Sequence, residues 1–172
     1  MLRSLSVRQP WCHLIAHRFK PLENRQNWRF PNFRGEIALH ASQSVTRREH
    51  ENCIDFLVAF SLPGTVPPVG CYPLGAIVAL VDIVDFIPPR GDDESYEHAL
   101  FRCPEPARQW WDQDQGGLII DRVRLLREPV ACKGALGLWT VPPDVEAEVR
   151  RQLNLSDPMP EKRLSRLEDG NV

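Results

Sequence analysis

Residues 5–42, LSVRQPWCHLIAHRFKPLENRQNWRFPNFRGEIALHAS, decide the fold. Leu5-Ser6-Val7 alternates as a half-buried strand does. Pro10 suits the first position of a helix, where its missing N–H costs nothing. Trp11, Leu14, Ile15 and Phe19 then recur at helical spacing and make one apolar face. A strand-to-helix junction leaves backbone N–H groups unpaired, and these attract anions. Arg8 and Gln9 stand beside that junction; they form part of a ligand site, or Arg8 makes only a surface salt bridge and Trp11 is only core. Pro21 stops the helix, and Leu22-Glu23-Asn24-Arg25 follows as a polar strand with Glu23 and Arg25 on one face. Gly35 permits the turn that leads into an apolar strand, with Ile37, Leu39 and Ala41 on its core side.

Working outward, residues 42–60 carry a helical pattern. Thr46 and Glu49 have capping-box spacing, with Ser42 and Ser44 as alternative caps. Cys53, Ile54, Leu57 and Val58 form its expected buried stripe. Residues 61–72, dense in Pro and Gly, form a surface loop, either a spacer or a lid. Residues 75–87 are too continuously apolar for an amphipathic helix and predict a central strand, with Asp82 in need of a partner. Trp110 and Trp111 either plug the fold or offer a stacking surface, and plugging is favoured. Residues 118–126 alternate as a strand expected to pair with 136–141, through a connection that contains Lys133 and Gly134. A last helix is expected over 145–153, capped by Asp144, and a flexible tail from 155 to 172.

The runs SVRQPW, K..ENR and FRGEIALHAS, with GAIVALVDIVD at 75–85 and KGALGLW at 133–139, resemble the ASCH family. That family is named for homology to an activating signal cointegrator. The resemblance covers about residues 4–142 in the right order. It implies an α+β fold: a PUA-like β-barrel of five to six strands with flanking helices, forming one domain over residues 1–154. PUA-like barrels bind RNA, and some ASCH proteins are acetylcytidine amidohydrolases or ribonucleases. The amidohydrolase members are similar here in a lysine before the polar strand, matched by Lys20. Their threonine nucleophile falls on Glu23, which has no hydroxyl. Their downstream acid has only loose counterparts in Glu94 and Glu97.

Charge and composition narrow the classes. Net charge is -2, yet residues 1–50 hold nine Lys/Arg against three Asp/Glu, and residues 51–100 one against eight. A basic region on a nearly neutral protein suits modest, salt-sensitive RNA binding, or it is a solvated arginine-rich surface. No secretory signal is expected, because Arg3, Arg8 and Pro10 break any early apolar run. The apolar run 74–87 is too short for a bilayer, so no membrane partner and a cytoplasmic location are expected. The cysteines are five and scattered, which makes no disulfide framework or zinc knuckle. His13 and His17 lack a third ligand at a recognisable spacing, so neither a metal nor a cofactor is expected.

The expected ligand is single-stranded RNA or a modified nucleoside, held in a cleft at the first strand–helix junction. Its binding residues are Arg8, Gln9, Trp11, Asn24, Arg25, Arg34, His40 and Lys133, and any chemistry falls to Lys20 with Glu23. A small hydrolase and a protein–protein adaptor are the alternatives.

Overall fold

The structure, a computed structural model, describes residues 1–156. Among these the elements run β1 (Arg3–Val7), α1 (Trp11–Ala16), β2 (Leu22–Arg25), β3 (Gly35–Ala41), α2 (Arg47–Ala59), β4 (Ala76–Ile87), α3 (Tyr96–Phe101), α4 (Glu105–Arg108), β5 (Gly116–Ala131), β6 (Leu138–Thr140) and α5 (Pro143–Ser156). The tail expected from residue 155 lies, beyond this helix end, outside the described residues. No helix among the described residues is long and apolar enough to cross a membrane.

The six strands make one sheet in the order β2-β5-β4-β3-β1-β6. β1 and β3 are parallel and every other pair is antiparallel. Three strands separate β2 from β1 in that order, yet Arg25 of β2 donates a hydrogen bond to Ser6 O of β1. The sheet is therefore curled on itself as a half-barrel, and the fold is α+β. β5 pairs with β2 along one edge and β4 along the other, and its pairing with β4 is interrupted by bulges, which bend a strand.

Both sheet faces are buried, which is why residues 76–81 read as unbroken apolar sequence. Leu5, Val7, Ile37, Leu39, Val81 and Leu118 fill the inner face. Ala38, Ile77 and Leu80 point outward beneath Val149 and Leu153 of α5. Each such aliphatic side chain contributes about 1.5–3 kcal/mol by leaving water. A third cluster joins Leu14 of α1, Leu22 of β2 and Cys53 and Leu57 of α2 to Trp110 and Trp111.

Some expectations are corrected. Residues 118–126 do not pair with 136–141; β6 lies against β1, with Leu5 opposite Leu138, and β5 takes β4 and β2. Alternation fixes which face a residue occupies, not which strand lies beside it. On α2 only Cys53 and Leu57 of the expected stripe are buried, while Ile54 and Val58 are exposed and Phe56 packs inward instead. Pro10 is the N-cap of α1, not its first helical residue. The partner that Asp82 needed is Arg122 on the adjacent strand β5, at 2.8 Å.

A cavity floored by a buried lysine and glutamate

Helix α1 ends in a tight turn in which the Phe19 and Lys20 N–H groups both donate to Leu14 O. Pro21 then sends the chain into β2, and this turn delivers Lys20 inward with only 4% of its surface exposed. Its ammonium donates to Leu22 O and, at 3.1 Å, to Glu23 Oε2. Glu23 is itself buried, and its other oxygen lies 3.4 Å from Arg25 Nε. Burial lowers the Lys20 pKa; Glu23 opposes that shift and Arg25 reinforces it.

Above this pair opens a cavity of about 800 Å³. Its walls are aromatic: Trp11 meets Phe56 edge to face at 5.8 Å, and Phe56 lies 5.9 Å from Trp110 and 4.9 Å from Phe60. The Lys20 ammonium is 5.8 Å from the Trp11 ring centroid. Asn24 holds the far wall in place, donating to Trp110 O at 2.8 Å and accepting from the Asp112 N–H at 3.0 Å. Trp110 and Trp111 are buried, with the Trp111 indole donating to Gln115 O. Tyr96, Leu100, Arg108 and Gln109 complete the lining. Lining charge is nearly balanced: Arg8, Lys20 and Arg108 stand against Glu23 and Asp112.

The structure thus brings Arg8, Trp11, Lys20, Glu23 and Asn24 around one cavity, with Arg25 beside Glu23. Arg8 sits at the rim, its guanidinium 2.8 Å from Glu49. Gln9, His40, Arg34 and Lys133 are elsewhere. The Gln9 amide accepts from the His13 N–H and donates to Pro73 O, so it closes the start of α1. His40 is on the outer sheet face, in hydrogen bond with Cys132 O and edge-on to Trp139. Arg34 pairs with Asp85 at 2.6 Å, and Lys133 is exposed in the connection before β6. Gly134 lets that connection pass close to the His40 ring: an added Cβ would lie 2.4 Å from its Cε1.

Residues 61–75 do not line the cavity; His13 holds Thr65 O, and His50 holds Pro67 O, which makes this loop a tethered spacer. Glu94 is tied to Arg102 at 2.7 Å and, like Glu97, does not line the cavity. The sequence reading passed over Phe56, Phe60, Tyr96 and Arg108. Phe56 and Phe60 carry a signal, being one helical turn apart and off the buried stripe of α2.

No family model matches the chain, and no curated protein does. Among solved structures it is similar to ASCH from Zymomonas mobilis, at 9% identity and a TM-score of 0.48, over 87% of this chain and 93% of that one. Two mutant forms of that protein align at 10% identity and TM-scores of 0.47, over 87% of this chain and 96% and 94% of theirs.

Proposed function

We propose that the protein binds a nucleobase-sized ligand in this cavity, either a modified nucleoside or a base turned out of single-stranded RNA. One observation carries the reading: a buried ammonium–carboxylate pair lies at the floor of a cavity with aromatic walls. Flat, partly polar heterocycles are held in this way, with rings against rings and a polar edge against fixed donors and acceptors. Lys20 has three N–H donors and uses two within the protein, which leaves one for a ligand. The two arginines that line the cavity, Arg8 and Arg108, are each paired with a glutamate, so base recognition dominates there and a polynucleotide backbone adds little.

A second reading is hydrolysis at the same floor. It is favoured by the lowered Lys20 pKa beside a carboxylate, the arrangement of an acid–base pair. Among the described residues, the lining holds no serine, threonine or cysteine. The nucleophile is then water: Glu23 takes its proton as it adds to the acyl carbonyl, and Lys20 supplies a proton to the departing amine. No residue-level observation favours the adaptor.

Calorimetric titration with cytidine, acetylcytidine and short single-stranded RNA tests the first reading, and release of acetate or RNA fragments tests the second. Binding that Lys20→Met weakens at least tenfold, without turnover, supports a binding module. Turnover lost in Lys20→Met supports the hydrolase. Neither binding nor turnover by the wild type would overturn both.

A further inference from the structure

β1 carries an arginine on the face that otherwise builds the core: Arg3 shares its side with Leu5 and Val7. Its Nη2 donates to Leu138 O, where β6 begins, and its guanidinium lies 6.0 Å from the Phe30 ring centroid. No carboxylate among the described residues pairs with it; Glu36, on the neighbouring strand β3, is taken by Arg124 and Arg150. Arg25 reaches the same place across the seam of the half-barrel. It donates to Ser6 O, one residue beyond Leu5, and Leu5 is opposite Leu138. Two guanidiniums therefore converge on adjacent backbone positions.

Three donor atoms there are buried without a hydrogen bond: Arg3 Nε, the indole Nε1 of Trp28, whose ring is 5.6 Å from Phe30, and Arg25 Nε, which has only its ion pair with Glu23 Oε1 at 3.4 Å. Glu23 is the carboxylate at hand, and Lys20 already holds one of its oxygens. Lys20 and Arg25 thus share a single negative charge, and Arg3 pairs with none among the described residues. Buried donors are costly unless an acceptor meets them, and a buried excess of like charge is costly unless an opposite charge joins it.

We propose that the β1–β2 seam binds an oxyanion of the phosphate class, with Arg3 and Arg25 as its cationic donors and the Trp28 indole as its neutral one. Planar guanidiniums suit this chemistry because they offer paired donors to two oxygens at once. Free phosphate and the phosphate of a nucleotide present the same oxygens. Arg3 and Trp28 do not line the cavity, and Arg25 meets it only through Glu23, so the Arg3 and Trp28 variants test this site apart from the cavity reading.

Thermal unfolding tests it, with inorganic phosphate compared against chloride at equal ionic strength, and with AMP and adenosine as further arms. Phosphate should raise the wild-type melting temperature beyond chloride. If AMP acts at concentrations at least tenfold lower than phosphate, the natural ligand is a nucleotide; equal potency indicates free phosphate. Arg3→Gln should abolish the phosphate increment and leave the melting temperature in chloride unchanged or higher, because an uncompensated cation is gone. A merely structural Arg3 would do the reverse, lowering that temperature and leaving the increment intact. Any nucleoside response from the cavity should persist in Arg3→Gln, so the two proposals fail separately. If Arg3→Gln does not fold, Trp28→Phe keeps the charge, removes one donor and should weaken phosphate binding several-fold by calorimetry. No phosphate-specific increment in the wild type, or unchanged affinity in Trp28→Phe, overturns the proposal.

Discussion

Glu23 does more for its neighbours than they do for it. Lys20 and Arg25 both depend on its carboxylate, whereas Glu23 keeps Arg25 when Lys20 is removed. Glu23→Gln should therefore destabilise more than Lys20→Met, by roughly 3–5 kcal/mol, the scale for breaking a buried pair from one side. Urea midpoints of the two variants check the order. The lowered Lys20 pKa sets the pH dependence. Between its folded value and its ordinary 10.5, the unfolded chain holds the proton that the folded one has lost, so stability rises with pH across that window. The Glu23→Gln deficit should shrink over the same window as Lys20 becomes neutral. Lys20 and Glu23 stood out in the sequence through the resemblance to the amidohydrolase members, whose lysine and nucleophile positions they occupy. The sequence was a poor guide to Gln9 and His40, whose polar atoms are spent on backbone groups far along the chain, at Pro73 and Cys132.

Elements hold the cavity by their ends and junctions. Helix α2 starts in a reciprocal cap, with the Glu49 N–H donating to Thr46 Oγ1 and the Thr46 N–H to Glu49 Oε2. Thr46→Ala should cost about 1 kcal/mol by chemical unfolding, and it should weaken ligand binding, because α2 carries the Phe56 and Phe60 wall. His13 of α1 tethers the 61–75 loop through Thr65 O. Burial, assisted by His17 and resisted by the Thr65 bond, lowers its pKa to about 4. From pH 6.5 down to about 4 the unfolded chain gains a proton that the folded chain refuses, so stability falls across that window. His13→Gln keeps a donor for Thr65 O and should flatten that part of the pH profile, as unfolding midpoints will show. The strand pattern was legible because both faces of β4 are packed. Strand order was not, because β2 and β6 are short and each finds its neighbour through contacts distant in sequence.

Across the whole molecule, several arginines of the basic first third are spent within the fold. Arg8 answers Glu49 and Arg34 answers Asp85, while Arg3 and Arg25 turn toward the seam. A charge count along the chain cannot show this, since the acids that neutralise those arginines come from later elements. RNA affinity should therefore fall only shallowly with salt, with a slope equivalent to about one or two phosphate contacts. The central claim is that the ligand enters between Trp11 and Trp110 above Lys20 and Glu23, and the indole N–H resonances of the five tryptophans report on it most directly. On titration with acetylcytidine or short single-stranded RNA, the Trp11, Trp110 and Trp111 resonances should shift together. Trp139, whose indole is hydrogen-bonded to Ser6 Oγ at 3.1 Å outside the cavity lining, should stay in place. Shifts confined to Trp28 and Trp139, or none at all at saturating ligand, would contradict the account.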